Sequence, residues 1–301
     1  MELLVTALTL IAIIALGYGV KCIGWLRASD FTTLSIIALR ITLPCALITS
    51  FDRFEMRPGL LWLTLFGFCA VMAGQGATWL LERRRGARAQ AFGILNVGSF
   101  NIGLFAIPYV GAFLGPEAIV VASMFDIGNA LAGAGVAYAW GLGLASGRRA
   151  SVVSFVRRIF SSPVFVTYLA LVIMGLLGLH FPGPVLQFTG TVGAANTFVA
   201  MFMIGVGLEL VLDRRSYRDA LRFLATRWTV MAAVAVVLWF VLPFDPASKA
   251  ILLALLTAPM AAMTSGFTAE AGLDVRVSTF MTTVSVLVAI VAMPLILTVA
   301  G

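Results

Sequence analysis

Apolar runs of about 20 residues, the length that crosses a bilayer core, recur from one end of the chain to the other. Only short polar turns separate them. Residues are 61% hydrophobic and 11% charged, where soluble domains carry about 25% charged residues, and no polar stretch is long enough to fold as a separate domain. Backbone in lipid must satisfy its own hydrogen bonds, so these runs predict an all-α membrane protein in contact with the bilayer. The first run, 3–20, has Glu2 where a secretory leader would be basic and no convincing small-x-small cleavage site after it. It is expected to stay as a membrane helix.

Charges and Pro/Gly pairs break the chain into ten predicted spans: 3–20, 31–51, 59–81, 89–110, 117–145, 162–180, 185–211, 222–243, 247–268 and 276–299. The turns on one side hold Lys21, Arg27, Arg83, Arg84, Arg85, Arg88, Arg148, Arg149, Arg157, Arg158, Arg214, Arg215, Arg218, Arg222, Arg227 and Arg276. The other side holds only Arg53, Arg57 and Lys249, while Arg40 falls inside span 2. The basic side is expected in the cytoplasm of a cell inner (plasma) membrane, with both termini outside. The net charge of +7 then belongs to cytoplasmic turns. No basic run is interleaved with aromatics, so no nucleic-acid partner is expected.

Five spans precede the basic turn "SGRRASVVSFVRR" and five follow it. An odd number per half turns the second half upside down relative to the first. The predicted organisation is therefore two inverted five-helix repeats, 1–150 and 151–301. The fourth span of each half carries the helix breakers: "NVGSFNIGLFAIPYV" in span 4 and "LLALLTAPMAAMTSGFTAE" in span 9. Paired interruptions at matching positions point to a transporter binding site near the midplane. Spans 4 and 9 are expected to break and cross at 98–108 and 257–266.

"ALGYGVKCIGWL", "ALRITLPCALITSF", "NVGSFNIGLFAIPYVGAFLGPEAI", "MFMIGVGLEL" and "APMAAMTSGFTAEAGLDVRVSTFMTTVSVLVAIVAMPLI" follow one another in the order and spacing of the auxin efflux carrier family, which the chain resembles over nearly its whole length. The resemblance implies ten helices in two inverted repeats, similar to the bile acid transporter fold, with helices 4 and 9 unwound where they cross. It implies a secondary active transporter of small organic anions, carboxylates such as malate, malonate or auxin, working by alternating access. The short turn between spans 5 and 6 is that of the bacterial members. A homodimer is implied too, and so is a scaffold of spans 1, 2, 5, 6, 7 and 10 against which spans 3–4 and 8–9 move.

Asn101 is the first candidate substrate ligand, with Asn96, Ser99 and the amides freed before Pro108. A broken helix also turns a half-helix N-terminus, roughly half a positive charge, toward an anion. Asn96 and Asn101 would alternatively cap carbonyls of the break. Pro259, with Thr264 and Ser265, is the counterpart in span 9. It removes a donor and clashes with the preceding turn, which makes either a crossing or a plain kink. Arg40 lies about 14 Å into span 2 at 1.5 Å per residue, near the centre of the bilayer. It would bind an anion, pair with Asp126, or snorkel to an interface. The resemblance implies a neutral residue at this place, four before the proline, in many members of the family, so the cation would mark a particular substrate or an internal ion pair. Asp126, with Ser123 and Asn129 on the same face, is the candidate for ion coupling to H+ or Na+, or else a structural partner. Ser278, Thr282 and Ser285 form a parallel face in span 10.

Gln75 and Asn196 read as helix bridges, and Glu209 as an interfacial residue beside Asp213. Cys22, Cys45 and Cys69 match no metal or redox spacing and read as small buried side chains. His180, in a turn beside Pro182 and Pro184, is expected to be exposed and inert. Trp25, Trp62, Trp79 and Trp228 fall near predicted span ends, as interfacial tryptophans do. An intramembrane enzyme would need an acid pair, a Ser–His pair or a histidine cluster. One histidine and one deeply placed acid argue against it, and no cofactor is expected. A membrane sensor or structural subunit with the same fold is the alternative to a transporter.

Overall fold

The computed structural model describes residues 2–52, 54, 57–147, 156–157, 159–208 and 217–300. Of the residues read above, Arg53, Arg148, Arg149, Arg158, Glu209, Asp213, Arg214 and Arg215 lie outside that range. Twelve helices position the site: α1 (Glu2–Cys22), α2 (Asp30–Asp52), α3 (Leu61–Leu81), α4 (Ala87–Asn96), α5 (Ile102–Leu114), α6 (Pro116–Ser146), α7 (Pro163–Leu176), α8 (Gly183–Gly207), α9 (Tyr217–Phe240), α10 (Pro246–Leu256), α11 (Thr264–Glu270) and α12 (Val275–Ala300). Among the described residues the one extended pairing is an isolated antiparallel bridge between Phe100 and Met260.

Seven of the helices, α1, α2, α3, α6, α8, α9 and α12, are long and apolar enough to cross a membrane, and α5, α7 and α10 are shorter apolar helices. Predicted spans 4 and 9 do not form single helices. α4 and α5 are separated at residues 97–101, and α10 and α11 at residues 257–263. Glycine, asparagine and proline supply too few backbone constraints and donors there to carry a helix through.

Two wide π-helical turns have a local cause. Ala38–Thr42 precedes Pro44, and Ile102–Ala106 precedes Pro108. A proline offers no N–H to the carbonyl four residues back, and the turn opens to accommodate the ring. A third π turn, Leu131–Ala137 in α6, receives an outside donor: Gln75 Nε2 of α3 bonds Ala132 O at 3.1 Å. Gln75 is thus a helix bridge, as expected. So is Asn196, whose Oδ1 accepts from Thr42 Oγ1 at 2.9 Å.

The densest contacts divide the helices into two groups. α1, α2, α7 and α8 pack on one another, while α3 to α6 pack with α9 to α12. α1 meets α8 at a crossing so close that a Cβ on Gly205 would lie 2.0 Å from Ile14 O. α3 meets α6 in the same way, at Gly67 and Gly128. The contacts run differently from the expected scaffold of spans 1, 2, 5, 6, 7 and 10. Spans 5 and 10 (α6 and α12) join the broken spans instead of α1, α2, α7 and α8, because glycine crossings and polar straps tie them there.

Three other expectations change. Cys22 and Cys69 are exposed and Cys45 is only half-buried. The outside of an apolar helix bundle accepts a small sulfur side chain as readily as its core does. His180 is exposed, but it is not without a partner: its Nδ1 lies 3.5 Å from Asp52 Oδ1. Trp228 sits near the middle of α9 and not at its end, because α9 starts at Tyr217, earlier than predicted.

Candidate functional site

The two helix breaks touch. Phe100 and Met260 run antiparallel, and Asn101 N donates to Pro259 O at 2.8 Å. Backbone groups freed at a break need partners when water is absent. Here the partners come from three flanking helices, α6, α9 and α12.

α6 straps the first break. Asn129 Oδ1 accepts from Phe100 N, and Asn129 Nδ2 donates to Phe100 O, both at 2.9 Å. α12 straps the second, where Ser285 Oγ accepts from Met260 N at 3.0 Å and donates to Thr282 O at 2.7 Å. From α9, Arg227 reaches both breaks. Its Nη1 donates to Val97 O and to Ser99 O (2.9 Å), and its Nη2 donates to Ala258 O at 3.0 Å. Its guanidinium lies over the Phe100 ring, 4.6 Å from the centroid. Below the first break, Asn96 Nδ2 donates to Phe92 O and Thr268 Oγ1, while its Oδ1 accepts from Ser278 Oγ at 2.6 Å.

Two chambers flank this junction. The first, about 340 Å³, is lined by Ser99, Asp126, Asn129 and Tyr168 among other residues. The second, about 290 Å³, is lined by Ser265, Thr279, Thr282 and Thr283 among other residues. Phe31, Asn101 and Ala262 line both. The Asn101 side chain is half-buried, and its carboxamide makes no hydrogen bond to another described residue.

Asp126 is buried on the wall of the first chamber. Its Oδ1 accepts from Asn129 Nδ2 at 2.8 Å and its Oδ2 from Tyr168 OH at 2.9 Å. The carboxylate, Asn129 and Phe100 therefore form one chain of bonds that ends at the break.

The predicted residues separate cleanly. Asn101, Ser99, Asp126, Asn129 and Ser265 line the chambers. Asn96, Ser123, Arg40, Pro108, Pro259 and Thr264 line neither. Asn96 has both donors and its acceptor engaged inside the protein, so its role is to join α4 to α11 and α12. Ser123 turns back on its own helix, donating to Ile119 O at 2.6 Å, and Thr264 does the same to Ala261 O at 2.9 Å. Pro108 lies inside α5, beyond the break at 97–101, where it shapes the π turn Ile102–Ala106 and not the break; Pro259 lies in the second break and contributes its carbonyl to Asn101 N. Arg40 is exposed on the outer side of α2. Among the described residues it forms no ion pair with Asp126, whose oxygens go to Asn129 and Tyr168.

Two residues escaped the reading of the sequence. Tyr168 had no signal beyond being an aromatic in an apolar helix. Arg227 had one. Counted with the basic turn, it lies ten residues into α9, about 15 Å at 1.5 Å per residue, and is 1% exposed. Its depth set it apart from its neighbours in the tally.

No protein-family model matches the chain. Among curated proteins, it is similar to one from Methanothermobacter thermautotrophicus named an uncharacterized transporter. The two are 27% identical over 301 residues, spanning 96% of each chain.

Proposed function

We propose that this protein is a secondary active transporter of small organic anions, carboxylates in the first place, bound at Asn101 between the two chambers. The observation that carries the reading is the Asn101 carboxamide, which bonds no other described residue, at the meeting point of two helix breaks and two cavities. The likeness to a protein named as a transporter, over nearly the whole of both chains, supports the same class. A chamber of about 340 Å³ is at the small end of ligand pockets, which run from roughly 300 to 1,000 Å³, and suits a small solute.

The reading takes the chain as ten spans in two inverted repeats, 1–150 and 151–301, with crossing spans 4 and 9. The straps support this arrangement. Phe100 is held by Asn129 of span 5, and Met260 by Ser285 of span 10, matching positions in the two halves. Alternating access would move α1, α2, α7 and α8 relative to the other helices, with the chambers between them. The cytoplasmic side is the arginine-rich one, the membrane is the plasma membrane, and two copies associate.

Asp126 couples the transport. An ionised carboxylate about 4 Å from a bound anion would repel it by about 4 kcal/mol at an effective dielectric constant near 20. The anion is therefore accepted together with a proton on Asp126, or with a sodium ion beside it. Labelled malonate, malate and indole-3-acetate, offered to proteoliposomes under separate pH and sodium gradients, test this. Asn101→Ala abolishes flux without changing thermal melting, and Asp126→Asn makes flux independent of the ion gradient. Wild-type flux of every accepted substrate through Asn101→Ala would remove the site.

A further inference from the structure

Arg227 is a whole charge buried where the proposed substrate path does not go. It lines neither chamber, and among the described residues no carboxylate lies within ion-pair distance of it. An uncompensated cation in an apolar interior is strongly unfavourable. Its compensation must therefore come from the groups that surround it, and those are backbone carbonyls.

Val97 O follows the last turn of α4, and Ala258 O follows the last turn of α10. Each helix end leaves carbonyls without intrahelical partners and carries roughly half a negative charge, so two such ends carry roughly one. One guanidinium matches that charge, and the Phe100 ring face adds to the attraction.

We infer that Arg227 is a built-in counter-cation for the two helix C-termini at the junction of the breaks, a positioning residue that holds the site where a mobile cation would otherwise be needed. The carbonyls of Val97, Ser99 and Ala258 form a cage for a guanidinium, and the junction needs no alkali cation of its own. Any sodium or proton coupling is then left to the other side of the break, at Asp126. The flux part of this inference rests on the transporter reading; the cage itself does not.

The test uses the purified full chain in detergent, without substrate, so that its outcome is separate from that of the transport assay. Arg227→Ala empties the cage. Its melting temperature is expected to rise saturably with millimolar methylguanidinium chloride and not with equal sodium, potassium or choline chloride. The wild-type protein is expected not to respond. Arg227→Lys keeps three donors and a charge, whereas Arg227→Met keeps only bulk. Lys is expected to melt well above Met. If all salts act alike on Arg227→Ala, or if Met melts as high as Lys, the counter-cation is refuted and Arg227 is a space-filling residue. If neither Ala nor Met gives folded protein, Arg227→Lys decides: a folded variant supports the inference and an unfolded one overturns it. In proteoliposomes, Lys is expected to retain flux that Met loses.

Discussion

Single side chains replace the helical hydrogen bonds that the breaks give up. Asn129 carries most of this at the first break, holding both polar groups of Phe100 and one oxygen of Asp126. Asn129→Ala leaves the Phe100 N–H and C=O without their partner, at about 1–3 kcal/mol for each buried group left unpaired. The variant is expected to melt well below the wild-type protein while Asn101→Ala melts with it. Melting the two variants side by side checks this, and equal melting of Asn129→Ala and wild type would mean that the break is held by other contacts. Two asparagines of one sequence neighbourhood, Asn96 and Asn101, also differ in this respect. Asn96 is saturated by α4, α11 and α12, whereas Asn101 faces cavity.

The helices are held together by close crossings as much as by polar bonds. In a bilayer apolar burial gives little drive for helix association, so backbones approach where small residues permit it. α3 makes the point within one helix. A Cβ on Gly67 would lie 2.3 Å from Phe125 O, while a Cβ on Gly76 would meet nothing within 4 Å. Gly67→Ala is expected to destabilise the protein by about 1–3 kcal/mol through overpacking against backbone. Gly76→Ala, which gains helix propensity, is expected to leave stability unchanged or slightly raised. Urea unfolding in mixed micelles measures both, and an equal effect of the two substitutions would refute the crossing. The π turns belong to this scale as well. Those before Pro44 and Pro108 follow from a missing donor, and the one in α6 has Gln75 as its outside partner.

At the scale of the molecule, the chambers lie where the group of α1, α2, α7 and α8 faces the group that carries both breaks. Relative motion of the two groups would open and close them. Cysteines introduced at Ser35 of α2 and Ala262 of the second break, in a chain lacking Cys22, Cys45 and Cys69, place one thiol on each side of the first chamber. Joining them with a short cleavable bifunctional reagent is expected to stop flux, and cleavage of the link to restore it. Unchanged flux through the joined protein would exclude motion between these groups as the transport step.

Hydropathy alone determined that this chain is a bundle of apolar helices, and its prolines, glycines and asparagines determined where two of those helices stop. Both properties are local. The length of an apolar run and the loss of a backbone donor can be counted along the chain without knowing what lies opposite. The site's polar wiring was decided only in three dimensions. Nothing in the sequence states the rotation of a helix about its axis, and that rotation turns Arg40 outward while bringing Asp126 against Tyr168. Nor does it state which distant helix supplies a partner. Arg227 meets carbonyls of Val97 and Ala258, and Asn96 meets Ser278. The basic-turn tally placed Arg227 at a surface because it weighs charge by side and not by depth. Two converging helix ends, visible only once the chain has folded back on itself, are what make a buried cation favourable there.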